Sequence, residues 1–109
     1  MDRGNAALAS NFDALHPAVL RLIAATTEGA ARHGRPVGVC GGLASDVAAA
    51  PILIGLGVRG LSAATAQIPA LKAHICNVTL DQCRLLAGKA LAASSAAEVR
   101  ALALSMGET

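Results

Sequence analysis

The chain has no tryptophan, no tyrosine and a single phenylalanine, Phe12. It therefore offers no row of rings on which bases could stack. Its net charge is only +2, too small for the phosphate attraction that nucleic-acid binding draws on. Cysteine is scarce and odd in number: Cys40, Cys76 and Cys83. Three cysteines with no metal-type spacing make no disulfide framework and no zinc module. They read as thiols of a reducing compartment, and the cytoplasm is the expected location. A long apolar run is missing too. The longest, Val47 to Val58, is about 12 residues and is broken by Pro51, Gly55 and Gly57. A membrane span needs roughly 20. Met1-Asp2-Arg3 leads into no apolar h-region, so no signal peptide is expected.

What is present is small and aliphatic. Hydrophobic residues make up 54% of the 109 positions, almost all of them Ala, Leu, Val and Ile. A core of this kind favours close helix–helix and helix–strand approach. The length fits one domain or part of one. There is no internal repeat and no linker, so residues 1–109 read as a single segment.

The chain is organised around Arg35-Pro36-Val37-Gly38-Val39-Cys40-Gly41-Gly42-Leu43-Ala44-Ser45-Asp46. Val37 and Val39 alternate with small residues, as in a short buried strand over Pro36–Cys40. Gly41 and Gly42 permit a tight turn and a close approach of ligand to backbone. Ser45 and Asp46 are placed to cap a following helix. Cys40 then stands at the C-terminal end of a strand in a strand–loop–helix unit, where parallel sheets bind ligands. The plain alternative is a buried packing cysteine, the commonest fate of a cysteine in an apolar strand.

Elsewhere the pattern is mainly helical. Residues 6–15 are weakly patterned, a loop or short helical turn. His16-Pro17 opens a helix that ends near His33-Gly34. Its apolar stripe is Val19, Leu22, Ile23 and Ala30, with Thr26 as the polar member. A second helix runs from Asp46 or Val47 to about Leu56, with Pro51 in its first turn or at a kink, and is ended by Gly55 and Gly57. Leu61–Ala63 is a short second strand, and Gln67–Ile75 a helix with Pro69 in its first turn. Thr79-Leu80-Asp81-Gln82 forms a capping box before the stripe Leu80, Cys83, Leu86, Ala87, Ala90 and Leu91. Ser95-Ala96-Ala97-Glu98 repeats the box before a last helix facing inward through Val99, Leu102, Ala103 and Met106. Cys76 and Cys83 read as packing residues. His16, His33 and His74 are isolated and read as capping or surface groups. Two parallel strands leave sheet edges unpaired, so the chain is expected to belong to a larger sheet or barrel or to self-associate.

Several stretches occur in a consistent order: Asp2-Arg3-Gly4-Asn5, His16-Pro17-Ala18-Val19-Leu20-Arg21-Leu22-Ile23, Gly38-Val39-Cys40-Gly41, Leu43-Ala44, Asp46, Gly55-Leu56-Gly57, Leu61-Ser62 and Ile68-Pro69. Together they closely resemble the C-terminal end of Enzyme I of the bacterial sugar phosphotransferase system, the phosphoenolpyruvate-protein phosphotransferase. More distantly they resemble pyruvate, phosphate dikinase and phosphoenolpyruvate synthase. The resemblance implies an α/β fold, a partial (β/α)8 barrel. This chain would supply its last two strand–helix units and additional C-terminal helices. Pro36–Cys40 would be the seventh strand and Leu61–Ala63 the eighth.

The family's reaction moves the phosphoryl group of phosphoenolpyruvate to a histidine of a separate domain and protonates the enolate to pyruvate. By resemblance, Cys40 is the acid/base at the methylene carbon, and Arg3 and Gly41 are on the substrate side. A thiol suits proton transfer at carbon, and a guanidinium suits a phosphate. Magnesium is implied by the family, with its ligands outside this chain. So are the other phosphate-binding arginines and the phosphohistidine domain. A phosphocarrier protein or the remaining barrel is an implied partner, as is a second copy, since Enzyme I dimerises through its C-terminal domain. Two departures stand out. Gly42 replaces an acidic residue, and Arg59-Gly60 replaces an acidic pair. Two readings follow: a C-terminal phosphotransferase segment inactive by itself, or a non-catalytic, self-associating remnant of that barrel.

Overall fold

A computed structural model describes residues 13–107, and their side chains as far as residue 105. Asp13–His16 form a turn in which the His16 N–H donates to the Asp13 carbonyl at 3.0 Å. Helix α1, Pro17–Arg32, starts from it. Proline at the first position costs no hydrogen bond, and His16 Nδ1 accepts from the Ala18 N–H at 3.1 Å. The expected capping role of His16 is therefore met. Gly34, with φ of 66°, turns the chain out of the helix.

Strand β1, Gly38–Cys40, leads through a 3₁₀ turn, Leu43–Ser45, to helix α2, Ala49–Gly55. Strand β2 is Gly60–Ser62. A second 3₁₀ turn, Thr65–Gln67, feeds helix α3, Ile68–Cys76, and then come α4, Leu80–Ala92, and α5, Ala96–Gly107. The strands pair in parallel, with Gly38 opposite Gly60, Val39 opposite Leu61 and Cys40 opposite Ser62. The fold is thus α/β, mostly helical, with a two-stranded parallel sheet. Each expected strand is present, displaced or shortened by one or two residues.

The core is aliphatic, as the composition demands. Leu15, Leu20, Ile52, Leu53 and Val99 are fully buried, joined by Ala49, Ala90 and Val58. Val39 and Leu61 pack against this cluster from the sheet. The alternate positions Gly38, Cys40, Gly60 and Ser62 are exposed. One sheet face is covered by helices and the other is bare.

Several packing details depart from the sequence reading. On α1 the buried positions are Pro17, Leu20 and Thr27, whereas Leu22 is 71% exposed and Thr26 is on the surface. Small residues all round this helix leave two plausible stripes. The choice falls to the face that meets α4 and the turn after α2, where the Thr27 hydroxyl meets the Leu56 carbonyl at 2.6 Å. Gly55 is the last residue of α2, as expected, and it also lies against α4. A Cβ there would overlap the Cys83 carbonyl oxygen and approach the Ala87 Cβ to 2.8 Å. Gly57, with φ of 101°, then turns the chain away from the helix, as expected. Pro51 falls in the first turn of α2, where a missing N–H is harmless.

The capping box at α4 is complete. The Thr79 N–H donates to Gln82 Oε1 at 2.8 Å and the Gln82 N–H to Thr79 Oγ at 3.1 Å. At α5 only half of it forms as expected: Glu98 donates its N–H to Ser95 Oγ, but its carboxylate accepts from Ser94. Within the α4 stripe, Cys83, Leu86, Ala87 and Ala90 are buried, while Leu80 is exposed. Cys76 is exposed on α3 and so is not the packing residue expected. On α5, Val99 and Ala103 are buried as expected.

Candidate functional site

The site is built where both strands end. Pairing in register sets Cys40 beside Ser62 on the bare sheet face, and both side chains are exposed. The thiol is therefore open to solvent, and the buried alternative for Cys40 does not hold in this chain. Gly41 follows with φ of 84°, a left-handed conformation that side chains resist. The chain next passes through Gly42, at φ −60° and ψ −38°, into the 3₁₀ turn. Open space surrounds both glycines. A ligand can approach their backbone closely.

The far side of this loop is held by polar contacts. Ser45 does not cap α2. Its hydroxyl accepts from the Ala64 N–H at 2.9 Å, tying the loop after β1 to the segment after β2. Asp46 is not the N-cap either, since that position is Ala48; it braces the turn leading into α2, its Oδ1 accepting from the Ala48 N–H at 3.1 Å. Its Oδ2 accepts from Arg100 Nη2 at 2.9 Å. Arg100 also grips Asp13 through Nε at 2.7 Å and Nη2 at 3.0 Å. The Arg100 side chain holds the Asp13 carboxyl below the usual carboxylate range, outweighing the opposing effect of partial burial. The hydrogen bonds it donates to both carboxylates raise the affinity of the Arg100 guanidinium for its proton.

The sequence reading missed Arg100 and Asp13. Their spacing of 87 residues carries no local signal. Of the residues it named, Cys40 and Gly41 are adjacent at the strand end. Arg3 lies outside the described residues. Among the described residues, no group of three or more histidine, cysteine, aspartate or glutamate side chains is gathered to hold a metal ion. Asp13 and Asp46, the carboxylates beside the loop, are engaged by Arg100. These described carboxylates are thus not free to hold a magnesium ion. A separate hollow of about 740 Å³ lies at the opposite ends of the strands, lined by Glu28, Arg35, Gly57 and Arg59 among others. Cys40 does not line it.

In this α/β chain an exposed thiol and a left-handed glycine stand at the C-terminal end of a parallel strand, the end at which α/β proteins bind ligands. The family model of the PEP-utilising enzyme, PEP-binding domain, matches residues 1–80. A multiphosphoryl transfer protein of Xanthomonas campestris pv. campestris is 50% identical over 102 residues, 94% of this chain and 12% of the relative. One from Rhodobacter capsulatus is 46% identical over the same shares. A phosphoenolpyruvate-protein phosphotransferase of Streptomyces coelicolor is 41% identical, covering 94% of this chain and 18% of the relative. The chain belongs to the PEP-utilising enzymes, within their PEP-binding domain. It spans less than a fifth of the length of these relatives. No helix among the described residues is long and apolar enough to cross a membrane.

Proposed function

We propose that the chain is the C-terminal segment of a phosphoenolpyruvate-dependent phosphotransferase and contributes Cys40 to a site completed by other residues. The observation that carries this reading is the exposed Cys40–Gly41 step at the end of β1, in a chain of the PEP-binding family. In the reaction, the bond between the phosphoryl group and the enol oxygen breaks, and the phosphoryl group passes to a protein histidine outside this chain. The enolate left behind takes a proton at its methylene carbon from the Cys40 thiol, which becomes a thiolate and is reprotonated from water. Gly41 leaves room for the substrate beside the backbone, and Arg3 neutralises its phosphate. Magnesium, implied by the family, would be held by residues outside this chain.

The bare sheet face supports the finer fold reading. Gly38, Gly60, Cys40 and Ser62 suit the inside of a (β/α)8 barrel of which β1 and β2 are the seventh and eighth strands. The location proposed is the cytoplasm. Alone, the chain lacks the metal clamp and acceptor that phosphoryl transfer needs, so it is inactive. Phosphoenolpyruvate and magnesium are titrated into the chain alone and into the chain mixed with the complementary part of a relative. Pyruvate is released only in the mixture, and Cys40→Ala lowers that release at least about a hundredfold. A mixture in which Cys40→Ala works at the wild-type rate overturns the role of Cys40.

A second reading, a non-catalytic self-associating remnant, is favoured by the bare sheet face and by Leu22 and Leu104, each 71% exposed. Such surface is costly in water, and pairing copies would cover it. Light scattering distinguishes a homo-oligomer from a monomer, and a stable oligomer that never responds to the complementary part supports this reading.

A further inference from the structure

We propose that Arg100, on the terminal helix, is the positioning residue of the loop that presents Cys40. This rests on the proposed role of that loop in phosphoenolpyruvate chemistry. The loop has two ends. At the near end, β pairing fixes Cys40 against Ser62. Beyond it, Gly41 and Gly42 have no side chains, and even a Cβ at either would touch nothing within 4 Å. A glycine pair without contacts has more backbone freedom to lose than any other. The conformation of the loop is therefore decided by what grips its far end.

Two contacts do so. One is the Ala64 N–H on Ser45 Oγ. The other is Arg100 on Asp46, whose backbone closes the 3₁₀ turn by donating to the Leu43 carbonyl at 3.2 Å. Asp46 divides its two oxygens between the turn before α2 and Arg100. Arg100 in turn is braced against the turn before α1 by its double contact with Asp13. A guanidinium has the planar fork to serve two carboxylates at once, which an ammonium on a flexible stem does not. The side chain of Arg100 is 41% exposed, whereas its neighbour Val99 is fully buried. The helix is thus anchored by Val99, and Arg100 is free to act on the loop.

The test compares Arg100→Gln, Arg100→Lys and Val99→Ala in the full chain. One readout is amide exchange of Gly41–Ser45 relative to Ile52 and Leu53. The other is the rate of Cys40 alkylation by iodoacetamide relative to Cys76, an exposed thiol on α3 that serves as internal reference. Arg100→Gln is expected to speed loop exchange about tenfold and to change the thiol ratio about threefold. Arg100→Lys falls between it and the wild type. Val99→Ala lowers the melting temperature and leaves both ratios alone. Wild-type ratios in Arg100→Gln overturn the proposal. So do equal changes in Val99→Ala, which would make the effect one of general stability. Phosphoenolpyruvate binding is measured separately, on the wild-type chain joined to the complementary part of a relative. Its absence there would refute the proposed function, while the two loop readouts still decide the role of Arg100.

Discussion

Gly55→Ala adds one methyl group where α2 crosses α4. Alanine is favoured over glycine in a helix, by about 0.5–1 kcal/mol in its interior and by less at the last position, where Gly55 stands, so helix propensity alone makes the change mildly stabilising. The tertiary structure reverses that sign. The new Cβ would overlap the carbonyl oxygen of Cys83 and stand 2.8 Å from the Ala87 Cβ. The carbonyl belongs to a helix backbone and has no rotamer to escape into. The helices must separate, which parts Ile52 and Leu53 from Leu86 and Ala90 in the core. Overpacking of this kind costs about 1–3 kcal/mol, and here the upper end applies because backbone must yield. The net loss is about 2 kcal/mol, equivalent to a fall of about 10 °C in melting temperature for a chain of this size. Gly88 is the control, a glycine inside α4 where an added Cβ meets nothing within 4 Å. Gly88→Ala should gain about 0.5–1 kcal/mol. Urea titrations followed by circular dichroism give both midpoints. The same chemical change should move them in opposite directions. A Gly55→Ala midpoint at or above the wild type refutes the close approach of α2 and α4.

Other outcomes follow from the site. Cys40 and Cys76 should be alkylated in the native chain while Cys83, buried and with its thiol pKa raised by that burial, is spared until urea exposes it; mass spectrometry counts the adducts. Gly41→Ala should lose about 1–2 kcal/mol, because alanine resists φ of 84°. Gly42→Glu, at an ordinary helical φ of −60° with open space around it, should stay within about 0.5 kcal/mol of the wild type in the same urea titration. Asp13 links stability to pH. Arg100 lowers its carboxyl pKa in the folded chain, so its contribution is whole above the unfolded value and is lost as pH falls through the lowered native value. Asp13→Asn should flatten that acid limb of the melting curve, and a limb of unchanged slope would remove Asp13 from the account. The contact is partly open to water, so its worth is small, about 1 kcal/mol.

Local chemistry was legible where neighbours in sequence are neighbours in space. His16-Pro17 started α1, Thr79 and Gln82 closed their box, and the Val-Gly-Val-Cys run ended a strand, because each depends on residues within one turn. The order of motifs also carried the family, which the matches over residues 1–80 and beyond bear out. Faces were less legible. In a chain this rich in alanine and leucine, Leu22 and Leu20 are equal candidates for the core, and only the position of α2 and α4 separates them. Gly55 does close its helix, but its second role, room for another helix, belongs to residues some thirty places further on.

The sequence by itself determined the elements, the caps of α1 and α4 and the place of Cys40–Gly41 at a strand end, since these rest on short-range sterics and hydrogen bonding. The tertiary structure alone decided three things. Cys40 stands beside Ser62 on a face left bare, because parallel register is set only when the strands meet. Ser45 serves the second strand's loop instead of the helix it precedes. Arg100 reaches Asp46 and Asp13 across separations of 54 and 87 residues, a contact between charges that no local pattern encodes and that folding must bring together.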